Sequence, residues 1–183
     1  MASINEAKKA FKTIKSVLGT AAEHNLNVLL RGESGVGKTH MVMDIAEEKS
    51  LKLKYFSAST LDPFADLVGI PVPKEDHVEY FRLADINEAE FMFFDELNRS
   101  HKRVMNAVLE IIQFQTLNGD KLPNLKMVWA AINPWEQEGY QTEVLDLALQ
   151  GRFHFNIDVP YDLSFDYFSE KFGEDIAKAA FGW

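Results

Sequence analysis

The sequence predicts an α/β fold in which helices cover both faces of a parallel sheet of five strands. Three observations support this class. Short apolar segments alternate along the chain with segments whose apolar residues have helical spacing. Residues 91–94 are four large apolar residues in a row, which need cover on both faces of a sheet. Residues 32–39 form a glycine-rich run between an apolar segment and a helical one, where a strand-to-helix loop belongs.

Composition limits the classes of protein that fit. With 183 residues, the chain fits one domain that can bury a core without disulfides or a structural metal. Its apolar runs are too short to cross a bilayer, so we expect a soluble protein with no membrane partner. The first residues resemble no export signal and there is no cysteine, which favours a cytoplasmic location. The formal net charge of -9 argues against a nucleic-acid surface covering the whole domain.

The first predicted element is a helix that begins after Ser3 and ends near Gly19. Ser3 and Glu6 form a capping-box pattern, and apolar residues follow at helical spacing. Four lysines share one flank of this helix: Lys8, Lys9, Lys12 and Lys15. That flank is either a solvated helix face or a local basic strip.

The first two strands enclose the glycine-rich run and a second helix. Residues 27–30 are apolar and β-compatible, and they lead directly into the run. A helix should follow, because residues 38–50 carry apolar side chains at helical spacing. Residues 53–58 predict the second strand. Residues 61–76 are rich in proline, glycine and aspartate, and they predict a loop or a short insertion.

The second half of the chain supplies three more strands. Residues 91–94 predict the third strand, which ends abruptly at the sequence DELNRS, and residues 102–114 have helical spacing. The pair Asn118-Gly119 favours a type I′ turn and therefore a small hairpin. The remaining predicted elements are a strand at residues 126–132, a helix at residues 144–149 and a strand at residues 153–159.

The glycine-rich run predicts a phosphate-binding loop. Its sequence, GESGVGKT, fits the pattern G-x-x-x-x-G-K-[ST] at each required position; the alternative is a chance turn before a helix. Glycines tolerate the backbone angles that turn N–H groups inward, and the helix N-terminus adds positive potential. Lys38 can reach the β- and γ-phosphates, and the Thr39 hydroxyl can ligate Mg²⁺. The residues predicted to bind the nucleoside triphosphate are Gly32, Glu33, Ser34, Gly35, Val36, Gly37, Lys38, Thr39 and His40.

Two acidic residues end the third strand. Asp95 falls at its polar tip, where it can hold Mg²⁺ through water, and Glu96 can accept a proton from the attacking water. Acidic residues also end strands or cap helices for structural reasons. The pair therefore indicates hydrolysis in combination with the glycine loop and not alone.

Two further residues are candidates for catalysis, together with Glu96 and Lys38. Asn133 follows the fourth strand, where its amide could orient the attacking water, although Asn-Pro is equally a turn signal. Arg152 precedes the fifth strand. Its rigid guanidinium suits a phosphate on a neighbouring subunit, and the alternative is a surface ion pair.

Taken in order, these motifs resemble those of an AAA+ ATPase. GESGVGKT resembles the Walker A motif, FMFFDE the Walker B motif, Asn133 sensor 1 and Arg152 the arginine finger. DELNRS, the hairpin and the segment INPWEQEG…LALQGRF are similar to the MoxR-like and dynein-related (midasin-like) branch. The resemblance covers about residues 15–160 of the chain.

The resemblance implies a P-loop NTPase fold with Mg-ATP at the boundaries of a homo-oligomeric, usually hexameric, ring in which Arg152 acts in trans. Residues 69–83 resemble the helix-2 insertion, which with the pre-sensor-1 hairpin would face the pore or a client. Arg99 would face the adjoining subunit or form a salt bridge. The implied domains are a nucleotide-binding core, residues 1–160, and the start of a truncated helical lid or a C-terminal helix, residues 161–183.

This chain departs from the family pattern at two points. None of Lys171, Lys178 or any arginine fits the sensor 2 role, so the helical lid is either cut short or lost. Gly151 also replaces the acidic residue that usually precedes the arginine finger, which weakens the assignment of Arg152.

The sequence leads to one main functional prediction and two alternatives. The main prediction is an ATPase that remodels a macromolecular client, with a protein as the expected client. One alternative is a nucleotide-dependent assembly module with little hydrolysis of its own. The other is a nucleic-acid motor or loader, for which Lys121 and Lys126 near the hairpin are the local cations. A GTPase is not indicated, because no N-K-x-D motif occurs.

Overall fold

The structure is a computed structural model, and it describes residues 4–62, 67, 69–81, 86–134, 145–160, 169 and 173–176. The strands are β1 (Val28–Arg31), β2 (Leu53–Ser57), β3 (Ile70–Pro73), β4 (Val78–Phe81), β5 (Phe91–Asp95), β6 (Thr116–Leu117), β7 (Asp120–Lys121), β8 (Met127–Ile132) and β9 (Phe155–Asp158). The helices are α1 (Ile4–Glu23), α2 (Lys38–Glu48), α3 (Lys102–Phe114) and α4 (Leu147–Gln150), and a 3-10 turn spans Leu97–Arg99. Among these described residues, no helix has the length and apolarity that crossing a membrane requires.

Five of the strands form one parallel sheet in the order β2-β5-β8-β1-β9. These are the five strands expected from the sequence, each within two residues of its predicted ends. The predicted fold class is confirmed. Because the strands are parallel, the residues that follow β1, β5 and β8 meet at one edge of the sheet.

Strand β5, which lies between β2 and β8, shows how the core is divided between the two faces. Side chains alternate along a strand, so Phe91 and Phe93 join the apolar cluster beneath α1 and α2, while Met92 and Phe94 join the cluster beneath α3. All four side chains are fully buried. Phe91 also meets Trp129 of β8 edge to face, with ring centroids 4.9 Å apart. The prediction that this run needs cover on both faces is confirmed.

Helix α1 is longer than the sequence predicts. It continues past Gly19 to Glu23 and packs on α2. Gly19 lies where an added Cβ would meet Ile45 of α2 at 4.0 Å, so the glycine sits at a helix contact and does not end the helix. On the lysine flank, Lys15 forms an ion pair with Glu48 of α2 at 2.6 Å. Ser3 and the side chains of residues 4–11, including those of Lys8 and Lys9, lie outside the described residues.

One local prediction is made specific by the structure and another needs correction. The stretch predicted as a loop or short insertion contains β3, which pairs with β4 in an antiparallel hairpin, so it holds a short β insertion. Its prolines are tolerated because a two-stranded ribbon leaves N–H groups unpaired along its edges. The prediction of a helix at residues 144–149 has the wrong bounds. Helix α4 begins after Asp146, whose carboxylate accepts a hydrogen bond from the N–H of Ala148 at 2.9 Å, while residue 144 lies outside the described residues.

The predicted hairpin before the fourth strand is confirmed as β6 and β7. Asn118 and Gly119 both have positive φ, 54° and 84°, as a type I′ turn requires. The Glu110 carboxylate of α3 accepts hydrogen bonds from the Thr116 hydroxyl at 2.8 Å and from the N–H groups of Asn118 and Gly119. The hairpin is thereby fixed to the helix that precedes it.

Candidate functional site

A cavity of about 330 Å³ opens at the sheet edge where β1, β5 and β8 end. Its lining comes from the glycine-rich loop, from the first turns of α2 and from the residues that follow β5 and β8. The lining residues are Ser34, Gly35, Gly37, Lys38, Thr39, His40, Met43, Asp95, Glu96 and Asn133. The structure therefore brings together most of the residues predicted from the glycine loop with three of the acidic and amide candidates.

The backbone of the loop is shaped by its glycines. Gly35 and Gly37 have φ values of 82° and 87°, and no atom lies within 4 Å of an added Cβ at either position. Gly32 is constrained by packing, because its Cβ would lie 2.7 Å from the carbonyl oxygen of Val159. Val36 is buried in the apolar core and does not line the cavity. At Gly35 and Gly37 the loop therefore presents main chain to the cavity, beside the side chains of Lys38 and Thr39.

Lys38 is the buried cation of the site, with 6% of its surface exposed. Its ammonium group donates to the carbonyl oxygens of Gly32 and Glu33, each at 2.7 Å, and to Oδ1 of Asn133 at 2.9 Å. Burial lowers the pKa of Lys38 from its ordinary value, and the negative charges of Asp95 and Glu96 act in the opposite direction. The positive charge is thus held at the base of the cavity.

Thr39 and Asp95 provide the oxygen atoms that suit a magnesium ion. The Thr39 hydroxyl donates to Oδ2 of Asp95 at 2.5 Å, and the N–H of Glu96 donates to Oδ1 at 3.0 Å. The Tyr55 hydroxyl lies 3.5 Å from Oδ2 of Asp95; burial, followed by that carboxylate, raises the pKa of Tyr55.

The oxygen atoms of Thr39 and Asp95 also fit the way in which proteins usually coordinate Mg²⁺. In the described part of the chain, no group of three or more acidic or histidine side chains could hold a metal by itself. Mg²⁺ commonly takes one or two protein oxygens and completes its shell with phosphate and water. The residues present therefore fit this ion in company with a polyphosphate.

Glu96, the predicted proton acceptor, lies at the cavity with both carboxylate oxygens engaged. Oε2 accepts from the Ser59 hydroxyl at 2.9 Å, and Oε1 is 3.3 Å from the Arg99 guanidinium. Of the two alternatives for Arg99, the structure contains the salt bridge. Glu96 also has a φ of 54°, a conformation that costs free energy for a residue other than glycine and that is concentrated at functional sites.

Asn133 follows β8, beside the strand that carries Asp95, as the sequence predicted. It is 4% exposed, and its amide oxygen accepts from Lys38. Its backbone is held by Asn98, a buried residue that the sequence analysis did not single out. Sequence reasoning also missed Tyr55 and Ser59. The available signal was a polar side chain within β2, the strand beside β5, and another two residues beyond its end.

Arg152 lies away from this cavity. It precedes β9, so it stands at the sheet edge opposite to the one where the cavity opens. Its side chain is exposed, and Nε is 3.4 Å from the Gln113 amide oxygen at the end of α3. It does not line the cavity of its own chain.

A second cavity of about 300 Å³ lies at that opposite edge, between the end of α3 and the starts of β8 and β9. Several of its polar residues have partners within the chain. Nδ1 of His154 accepts from the N–H of Asn27 at 2.8 Å, and Lys126 pairs with Glu90 at 2.6 Å. It lacks a glycine loop and a helix N-terminus, so the first cavity remains the candidate site.

Comparison with known proteins gives a consistent family match. Residues 27–155 match the family of ATPases associated with various cellular activities (AAA). The chain is 26% identical over 147 residues to the Holliday junction branch migration complex subunit RuvB of Mycoplasmopsis synoviae, covering 77% of this chain and 42% of that protein. It is 31% identical over 142 residues to chaperone MoxR1 of Mycobacterium tuberculosis, covering 74% of this chain and 36% of that protein.

Two further similarities extend over most of the chain. Midasin of Giardia intestinalis is 25% identical over 177 residues, which are 90% of this chain and 4% of that protein. A crystal structure of a candidate ATPase from Cytophaga hutchinsonii superposes with a TM-score of 0.61 at 28% identity, over 96% of this chain and 53% of that chain. The chain spans less than half the length of each curated relative described here.

Proposed function

This chain belongs to the family of ATPases associated with various cellular activities, in its MoxR-like and dynein-related branch, and we propose that it binds Mg-ATP and hydrolyses it within a homo-oligomeric, hexameric ring that remodels a protein client. One observation carries this proposal. A buried lysine, a hydroxyl–carboxylate pair and a second carboxylate surround one cavity at the N-terminus of a helix. Such a combination suits phosphoryl transfer to water.

Each residue then has a distinct role in the proposed reaction. Bound Mg-ATP supplies the phosphoryl group and the charge of the metal. Lys38 neutralises negative charge, and Thr39 with Asp95 holds the ion. The residues that bind the triphosphate are those predicted from the loop, Gly32 to His40.

Glu96 and Asn133 act on the attacking water in this proposal. Glu96 accepts the proton on a lone pair that its contacts with the Ser59 hydroxyl and the Arg99 guanidinium leave open, since each carboxylate oxygen can accept more than one hydrogen bond. Asn133 orients the same water through its amide. Arg152 cannot serve its own cavity from the opposite sheet edge, so it acts on the site of a neighbouring subunit, an arrangement worth about three to five orders of magnitude in related NTPases.

Steady-state ATP hydrolysis per subunit, measured across a wide range of protein concentrations, tests the proposal. We expect the rate per subunit to rise steeply with concentration, because neighbouring subunits complete each other's sites. Glu96→Gln should retain ATP binding and lose turnover, whereas Lys38→Ala should weaken binding itself. Glu47→Gln, an exposed acid on α2, is the matched control and should behave as wild type. Normal turnover by Glu96→Gln would refute the assignment of Glu96.

Two other functions are compatible with the family. Undetectable turnover at every concentration, with ATP still bound, would identify the assembly module instead. The RuvB relative makes a nucleic-acid motor the other candidate, although the net charge of -9 opposes it. DNA binding that weakens steeply with salt would favour that candidate. Three further expectations remain parts of the proposal: a nucleotide-binding core at residues 1–160, the start of a truncated helical lid or a C-terminal helix at residues 161–183, and a cytoplasmic location.

A further inference from the structure

Asn98 lies in the 3-10 turn that follows β5, and 3% of its surface is exposed. Its side-chain amide faces the main chain of Asn133. Nδ2 donates to the carbonyl oxygen of Asn133 at 2.9 Å, and Oδ1 is 3.4 Å from the N–H of the same residue. Both contacts are buried, so one side chain holds both main-chain polar groups of Asn133.

These contacts continue into the cavity. The amide oxygen of Asn133 accepts from Lys38, so buried hydrogen bonds lead from Asn98 through Asn133 to the cation of the phosphate loop. A buried amide that loses its hydrogen-bond partner is destabilising, so the two asparagines favour one arrangement over others. The orientation of the Asn133 backbone decides where its side chain points.

We propose that Asn98 is a positioning residue, which fixes the backbone of Asn133 and so aims the Asn133 amide at the attacking water. This inference rests on the proposed ATPase function. It gives the asparagine of DELNRS a role separate from those of the two acidic residues before it. Because Asn98 follows Glu96 by two residues, the same turn sets the positions of both groups that act on the water.

A purely structural role for Asn98 would also reduce activity if its loss unfolded the chain. The two roles differ in how they combine with a change at Asn133. If Asn98 acts through the Asn133 side chain, removing that side chain first leaves nothing for Asn98 to position. A structural role would instead reduce activity by the same factor in either background.

The test is a double-mutant cycle on kcat and KM for ATP. We expect Asn98→Ala to lower kcat about 10- to 100-fold with KM changed little, as for other residues that orient a catalytic group. In the Asn133→Ala background, the same substitution should change kcat less than about twofold. Ser100→Ala is the matched control, since Ser100 is equally buried in the same segment and its hydroxyl donates to Leu97 at 2.7 Å.

Amide hydrogen exchange of the nucleotide-free protein provides a readout independent of turnover. Asn98→Ala should speed exchange of the Asn133 amide, and Ser100→Ala should leave it unchanged. Asn98→Asp keeps the shape and the acceptor but loses the donor to the Asn133 carbonyl, and we expect it to lose most of the same activity. If Asn98→Ala does not fold, Asn98→Asp replaces it in the kinetic and exchange measurements.

Three results would overturn the inference: unchanged kcat in both Asn98 variants, effects that multiply fully in the double mutant, or unchanged exchange at Asn133. Absence of turnover in the wild-type chain would contradict the proposed function instead. In that case, the exchange of the Asn133 amide still decides whether Asn98 holds that backbone.

Discussion

At the scale of single residues, Gly32 is constrained by a close approach between two chain segments. A Cβ there would lie 2.7 Å from the carbonyl oxygen of Val159 and 3.2 Å from Cγ2 of Val36. The first contact is with main chain, which cannot move aside as a flexible side chain can. We therefore expect Gly32→Ala to lower the free energy of unfolding by about 1–3 kcal/mol, measured by urea denaturation.

Gly35→Ala is the control for that experiment. Its Cβ would enter open space, so the penalty comes from the positive φ alone and should be about 1–2 kcal/mol without displacing β1. Hydrogen exchange near Val159 should accordingly change in Gly32→Ala and not in Gly35→Ala. Wild-type stability of Gly32→Ala would contradict the close approach.

The polar residues at the strand ends were predictable, whereas their partners were not. Asp95 and Asn133 each follow an apolar run, so the pleat and the parallel order bring them to one edge. The hydrogen bond from Ser59 to Glu96 depends on which strand lies beside β5. The sequence does not specify the side-chain geometry between neighbouring strands. For the same reason, the hydrogen bond between Asn98 and Asn133 could not be predicted from the sequence.

At the scale of elements, α1 offers a direct test of a boundary that sequence reasoning placed too early. Gly19 lies inside the helix, its φ is not positive, and an added Cβ would make an ordinary 4.0 Å contact with Ile45. We expect Gly19→Ala to raise the free energy of unfolding by about 0.5–1 kcal/mol, because alanine loses less conformational entropy in a helix. Thermal or urea unfolding measures the change.

A matched glycine on the hairpin should respond in the opposite direction. Gly119 has a φ of 84°, so Gly119→Ala should destabilise the chain although nothing lies within 4 Å of the new methyl group. If Gly19→Ala proved neutral or destabilising, the helix would end near Gly19 as the sequence first indicated.

The differences between predicted and observed elements have two physical origins. Strands β1, β5 and β8 were predicted well because each is a run of buried apolar residues, followed in β1 and β5 by a single half-buried polar residue. The end of α1 depends on packing against α2, and the β3–β4 hairpin depends on pairing between two neighbouring strands. Both override local glycine and proline signals. Helix α4 was misplaced because its start is set by the cap at Asp146.

At the scale of the whole molecule, the separation of Arg152 from the cavity predicts complementation between inactive variants. Arg152→Ala subunits retain the loop, and Lys38→Ala subunits retain the arginine. If the proposed ring forms, the two variants mixed at equal amounts should regain turnover at about a quarter of its sites, because a heterologous interface joins different surfaces of adjacent subunits. Each variant alone should be inactive in the same assay.

The complementation has its own control. A mixture of Arg152→Ala with the double variant Arg152→Ala/Lys38→Ala should stay inactive, because no subunit then supplies the guanidinium. Turnover by Arg152→Ala alone would show that Arg152 is not required in trans. If the mixture of Arg152→Ala with Lys38→Ala stayed inactive although mixed rings had been demonstrated, Arg152 would not act in trans.

The internal hydrogen bonds of Lys38 have a consequence for ligand selectivity. An incoming anion must displace the ammonium from three oxygen atoms that already bind it at 2.7–2.9 Å. Inorganic phosphate offers fewer contacts to the rest of the loop than a polyphosphate, so it compensates less of that loss. We therefore expect the resting loop to bind free inorganic phosphate, including any that the proposed reaction releases, more weakly than a nucleoside triphosphate.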